Sequence, residues 1–263
     1  MSLLVLGVGY TGRAVLALAR ARGHDARGVV RRAEAAAALR GEGFDVVAVP
    51  SFDDALAPFV RDAASVIVTF PPDGATDARA RRAIDASGTA PTVAYVSSTS
   101  VYGDARGVID DRTPTAPSAP AGRARLEAEA IWRGATILRA PAIYGTDRGL
   151  HVRVLSGKHR IPGDGAGFVS RIHVEDLAAL LIATPAAPGE TFVVGDLEPA
   201  AHIDVVRFVC GAYEVPLPPH APLETAHETL RGDRRVDGTR ALARLGVTLR
   251  WPTYRVGMAP RAE

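Results

Sequence analysis

The sequence predicts an α/β protein built on a doubly wound parallel sheet, with a smaller cap formed by its C-terminal third. Three observations predict this. Short apolar runs alternate with helical segments through the first half of the chain, a glycine-rich turn joins the first run to the first helix, and the alternation loosens after Leu138 into a Gly- and Pro-rich stretch. Strands are expected at 3–6, 26–30, 45–49, 65–69, 92–97 and 136–138, with helices at 11–22, 33–40, 76–86 and 123–133. Beyond them, helices at 174–183, 203–212 and 239–245 and a strand at 191–194 are assigned to the cap, over the carboxyl edge of the sheet where open α/β folds hold ligands. The division is placed after residue 168: residues 1–168 form the main domain and 169–263 the cap, partly interleaved with it.

Composition narrows the functions open to this fold. The chain has 263 residues, enough for one large domain with a core, and a formal net charge of +2, which gives no field for nucleic acid or a membrane surface. The cations are arginines apart from Lys158. A single cysteine, Cys210, excludes an internal disulfide and a cysteine zinc cluster. With no basic leader before Leu6 and no apolar run long enough to span a bilayer, the expected setting is cytoplasmic and the expected partner a small molecule. His151, His159, His202, His220 and His227 show no ligand spacing, so no metal site is expected.

Gly7-Val8-Gly9-Tyr10-Thr11-Gly12 is a G-x-G-x-x-G turn between strand and helix. Gly7 permits the sharp turn, Gly9 lets backbone approach a pyrophosphate, and Gly12 allows helix and strand to pack closely. The helix N-terminus then offers free N–H groups to the anion. The pattern predicts a Rossmann dinucleotide site. The second strand ends in Val29-Val30-Arg31-Arg32, where an NAD site usually carries a carboxylate for the ribose 2′-hydroxyl. Two guanidiniums suit a 2′-phosphate instead, so NADP is favoured over NAD.

Three further motifs, Ser97-Ser98-Thr99-Ser100-Val101-Tyr102-Gly103, Leu138-Arg139-Ala140-Pro141-Ala142-Ile143-Tyr144-Gly145 and Arg171-Ile172-His173-Val174-Glu175-Asp176, complete a resemblance. Together with the glycine turn they resemble the extended short-chain dehydrogenase/reductase superfamily, nearest its NAD-dependent epimerase/dehydratase proteins and its atypical branch. The resemblance implies NAD(P) binding, a substrate cap and a homodimer. It further implies that Ser98 is the catalytic hydroxyl, that Pro141 and Ile143 lie beside the nicotinamide, and that Phe70 and Pro71 pass the cofactor's ribose and phosphates. Ser97 joins Gly7, Gly9, Tyr10, Thr11, Gly12, Arg31 and Arg32 in the cofactor-binding set.

The family's Tyr-x-x-x-Lys pair is absent. Laid on Pro120-Ala121-Gly122-Arg123-Ala124-Arg125, its tyrosine becomes Ala121 and its lysine Arg125, and no other tyrosine precedes a lysine at that spacing. A positioned acid contributes roughly 10²–10⁴-fold, about 3–5 kcal/mol of barrier. Arg125 can hold ribose hydroxyls but cannot release a proton near neutrality. Tyr102 and Tyr144 are the candidate replacement acids, and His173 is expected to be structural. Two functions follow: an NAD(P)-dependent epimerase/dehydratase or reductase of a small polar substrate, or a non-catalytic NADP(H)-binding sensor or regulatory protein.

Overall fold

Residues Ser2–Leu6 form strand β1, and its side chains alternate between two separate cores, Leu3 and Val5 in one and Leu4 and Leu6 in the other. A strand buried on both faces has no polar side, which is why it reads as a continuous apolar run. The same holds for β4 (Ser65–Val68), every residue of which is buried. Around them lie β2 (Asp25–Val30), β3 (Val46–Ala48), β5 (Thr92–Ser98), β6 (Thr136–Ala140) and β7 (Thr191–Val193), in the spatial order β7-β6-β5-β4-β1-β2-β3, all parallel. The computed structural model describes residues 1–226 and 230–260, so His227 lies outside the described residues.

Helix α1 (Tyr10–Ala21) buries Thr11, Gly12, Val15, Leu16 and Ala19, a stripe at helical spacing that faces the first core. Helices α2 (Ala33–Gly41) and α5 (Val174–Ala183) share that face, while α3 (Gly74–Asp85) and α4 (Pro120–Ile131) cover the other through Ala80, Ala83, Ile84 and Ala128. The doubly wound α/β architecture is therefore the observed one.

Three segments that the sequence reading sets in the cap lie in the main layers: strand β7, helix α5 and the helix Thr239–Leu245, whose Ala241 and Leu245 join the first core. Strand β7 pairs with β6, Thr191 opposite Ile137 and Val193 opposite Arg139, as a seventh strand beyond the six expected. Helix α5 packs on α1. The physical reason is visible in its composition: Val174, Leu177, Ala178, Ala179, Leu180, Leu181 and Ile182 are all buried, and a helix apolar around most of its circumference must be covered on most sides. The cap proper is a four-stranded sheet, ordered Ala200–Ala201, Phe168–Val169, Asp233–Val236 and Arg106–Ile109, beside helices Leu150–Leu155 and His202–Ala212. It is tied down by Asp176, whose carboxylate accepts from the backbone N–H groups of Arg250 (2.7 Å) and Trp251 (3.0 Å). Among the described residues no helix is long and apolar enough to cross a membrane.

Candidate functional site

Strand order reverses between β1 and β4, so the connections after these strands run to opposite sides and leave a crevice at their carboxyl ends. Gly7 follows β1 with φ +88°, and a Cβ there would lie 2.8 Å from that of Phe70. Gly12 sits with its would-be Cβ against the Gly7 carbonyl oxygen. Both glycines are dictated by close packing. Gly9 is different, because a Cβ added there meets nothing within 4 Å. No side chain caps α1, so its first-turn N–H groups face that space without a side-chain partner. Open room, free donors and a helix N-terminus together fit a pyrophosphate.

The remaining residues expected at this end are distributed around the crevice. Phe70 is buried behind Gly7, its ring 5.4 Å from that of Phe52, while Pro71 is exposed. Tyr10 lies beneath the Arg148 guanidinium, 4.9 Å from its ring centre, and Thr11 is buried. Arg31 and Arg32 are exposed just past β2, with Arg31 Nη1 3.4 Å from Asp73 Oδ2.

At the other end, the carboxyl termini of β5 and β6 flank a cleft of about 250 Å³ lined by Ser98, Ser100, Ser118, Pro141, Ile143 and the guanidiniums of Arg148 and Arg234. The Ser98 hydroxyl accepts from the Ser100 N–H (3.1 Å), which caps the short helical turn Thr99–Tyr102. Asp104, at the cleft rim, accepts from the Ser118 hydroxyl at 3.1 Å. Arg148, Arg234, Asp104 and Ser118 were missed as cleft residues by the sequence reading; they meet only because distant segments converge here.

Four expected residues do not line this cleft. Ser97 points to the opposite side of β5 and donates to Glu129 Oε1 (2.5 Å). Tyr102 is fully buried; its hydroxyl donates to the Asp110 carbonyl (3.3 Å) and accepts from Arg139 Nη1 (3.2 Å). Burial raises its pKa against the lowering influence of Arg139. Arg125 turns beneath β5 and donates from Nη1 to the Val96 carbonyl (2.7 Å) and the Tyr95 hydroxyl (3.0 Å). Tyr144 is buried as well, its hydroxyl donating to the Thr253 carbonyl (3.4 Å), with burial pushing its pKa upward. None of the cleft-lining side chains is a phenol, imidazole or amine. His173 caps α5 by accepting the Glu175 N–H at 3.3 Å and packs between Tyr144 and Trp251.

A seven-stranded parallel sheet with this order, a glycine turn at its switch point and a second cleft beside Ser98 defines a Rossmann-type nicotinamide-nucleotide-binding protein. The chain belongs to the NAD(P)H-binding family, whose profile matches residues 7–188. It is similar to a functionally unknown conserved protein from Silicibacter pomeroyi DSS, with TM-score 0.79 and 30% identity over 98% of this chain and 96% of that one. The fold of UDP-glucuronic acid 4-epimerase from Bacillus cereus, solved in complex with NAD, superposes with TM-score 0.81 at 17% identity, covering 98% of this chain and 96% of that chain. A dTDP-glucose 4,6-dehydratase from Neisseria gonorrhoeae is 30% identical over 153 residues, half of this chain and 44% of that protein, so less than half of that relative is matched. The resemblance read from the motifs is thereby supported at the level of family and fold.

Proposed function

We propose that this protein binds NADP(H) along the glycine-turn crevice and carries out hydride transfer at a carbonyl or carbinol carbon of a small polar substrate, as a reductase or an epimerase/dehydratase-like enzyme. The observation that carries the reading is the continuity of the site: the cleft beside Ser98 shares Ala142, Ile143 and Arg148 with a second cavity under the cap, which is room a protein that only held a nucleotide would not need. Gly7, Gly9 and Gly12 hold the pyrophosphate, Arg31 and Arg32 the 2′-phosphate, and Pro141 and Ile143 flank the nicotinamide. When bound, the nicotinamide ring gives or accepts the hydride. The Ser98 hydroxyl donates to the substrate oxygen, and the guanidinium of Arg148 offsets negative charge developing there. With Tyr102 buried away from the cleft, and Tyr144 lining only the adjoining cavity with its hydroxyl donated to the Thr253 carbonyl, the proton comes from solvent entering the open cleft. A slow enzyme is the consequence, because the roughly 10²–10⁴-fold contribution of a positioned acid is missing. The cytoplasmic setting and the homodimer belong to this reading, resting on the lone buried thiol of Cys210 and on the family resemblance.

Thermal unfolding with NADPH, NADH or neither tests it. A ligand at about 100 times its Kd stabilises by about 2.7 kcal/mol, which raises the melting temperature by about 5 °C in a chain of this size. No shift with either nucleotide would remove the reading. A deuteride-transfer screen over carbonyl substrates comes next: Ser98→Ala is expected to slow turnover at least tenfold, while Tyr102→Phe leaves it unchanged. Inactivity on every substrate would favour the second reading, a non-catalytic NADP(H) sensor, which the burial of Tyr102 and Tyr144 supports.

Cofactor choice gives a separate prediction. Each charge-assisted hydrogen bond to a phosphate contributes about 1.5–3 kcal/mol. The double variant Arg31→Ala/Arg32→Ala is therefore expected to weaken NADPH roughly 100-fold and NADH by less than about threefold. Equal loss for both nucleotides, measured by fluorescence titration, would assign the arginines to the shared part of the dinucleotide.

A further inference from the structure

Beneath the cap, between helix Leu150–Leu155, helix His202–Ala212 and strand Arg171–His173, lies a cavity of about 340 Å³ that meets the Ser98 cleft at Ala142, Ile143 and Arg148. Arg171 is only 4% exposed, yet the one acceptor its guanidinium finds is the Val169 carbonyl, from Nη1; its remaining donors have no partner among the described residues. Arg148 and Arg153 also line the cavity, and none of the three arginines forms an ion pair among the described residues. His159 and His202 are 1% and 2% exposed and share a hydrogen bond, Nε2 to Nε2, of 2.9 Å.

That histidine contact fixes the chemistry of the pair. Burial, assisted by nearby arginines, lowers His159 to about 4 and His202 to about 3, so both rings are neutral at physiological pH. One Nε2 must then donate and the other accept. The donating ring leaves Nδ1 as a bare acceptor, and the accepting ring carries its proton on Nδ1. Both Nδ1 atoms are buried without a partner. One unpaired imidazole N–H and a desolvated guanidinium thus share a single cavity. The carboxylate whose charge reaches Arg171 is Asp196, and burial raises it to about 7, although Arg171 itself works to lower it. Three guanidiniums, those of Arg148, Arg153 and Arg171, line the cavity against this one carboxyl, so it keeps a positive excess whether or not Asp196 is ionised.

We propose that this cavity is an oxyanion subsite that takes a carboxylate or phosphate carried by the small substrate, held by the guanidiniums of Arg171 and Arg153 and by the free Nδ1–H of the His159–His202 pair. This rests on the reading of the neighbouring cleft as the hydride-transfer site, and it narrows the substrate to a small anion. Arg148, common to both spaces, lies where the anionic end joins the reacting carbon. Arg171 opens the 171–176 motif, and it lines this cavity because the cap folds over it.

Titration calorimetry with inorganic phosphate and, separately, with malonate tests the proposal on the intact protein. At least one is expected to bind with a Kd below about 1 mM. Tighter phosphate binding assigns the phosphate source and tighter malonate binding the carboxylate source. Arg171→Met should lose at least 100-fold of that affinity and Arg153→Gln about tenfold, while both keep the NADPH-dependent thermal shift. Should Arg171→Met fail to fold, the Arg153 variant and ¹⁵N-histidine spectra decide, since anion binding must move the Nδ1 resonances of His159 and His202. Binding of neither anion, undiminished binding in the variants, or unmoved imidazole resonances overturns the subsite. Loss of the NADPH shift in the unaltered protein, with anion binding retained, would instead overturn the cofactor reading alone.

Discussion

Gly9→Asp is expected to abolish NADPH binding while leaving the nucleotide-free protein as stable as before. The two halves of this expectation come from different facts. Position 9 has φ −86°, a value open to any L-residue, and a Cβ there meets nothing within 4 Å, so the fold accepts the side chain. It is also the N-cap of α1, where no side chain now serves, and an aspartate in that place satisfies a first-turn N–H for a gain of a few tenths of a kcal/mol over glycine. The same carboxylate fills the space a pyrophosphate needs. At about 4 Å and an effective dielectric of about 20, the repulsion is about 4 kcal/mol, or roughly 1000-fold in affinity. Gly12→Ala supplies the contrast, since its Cβ collides with the Gly7 carbonyl and costs stability whether or not nucleotide is present. Calorimetric unfolding with and without NADPH separates them. Retention of the NADPH shift in Gly9→Asp would move the nucleotide site elsewhere.

Why that end of the site can be read in the sequence, and the other end cannot, follows from the range of the interactions. Gly7 and Gly12 are demanded by the local backbone, one by a positive φ and one by contact within the same turn, while Gly9 completes the spacing that marks the turn. The strands are legible for a similar reason, because a parallel strand covered on both faces must be apolar throughout, as β1 and β4 are. In the Ser98 cleft the decisive facts are long-range. Ser97 and Ser98 are neighbours, but alternation along β5 sends the first to Glu129 and the second to the cleft. The family pattern alone cannot tell that Tyr102 turns under to Arg139, or that Arg125, in the lysine's place, finds the Val96 carbonyl instead of the cleft. Arg148 and Arg234 reach the same cleft from segments far apart in sequence. The buried character of α5 was legible in its composition, and only its assignment to the cap obscured it.

The network under β5 and β6 should carry the largest stability effect of any single side chain near the site. Glu129 and Arg139 are almost wholly buried, and they meet through two hydrogen bonds, Nε to Oε1 at 3.0 Å and Nη2 to Oε2 at 2.8 Å. Ser97 donates to the same carboxylate, and Arg139 donates onward to the Tyr102 hydroxyl. Burial alone would lower the Arg139 pKa, but Glu129 and Tyr102 more than offset it and hold the guanidinium charged, above its ordinary range. Glu129→Ala therefore strands a cation among apolar neighbours and leaves the Ser97 hydroxyl without its acceptor. Breaking one side of a buried pair costs about 3–5 kcal/mol, a fall of roughly 6–10 °C in melting temperature for a chain of this length. Removing both charges costs less, because no ion is left uncompensated, so Glu129→Ala/Arg139→Met should be more stable than Glu129→Ala alone by at least about 1 kcal/mol. Since Ser97 precedes Ser98 and Tyr102 ends the turn that Ser98 caps, the single variant should also loosen the Ser98 turn and weaken nucleotide binding, which the double variant partly restores. Denaturant melts of the four proteins in the cycle measure the coupling. Additive losses would mean that the two side chains act independently and that the Ser98 turn is held by its backbone alone.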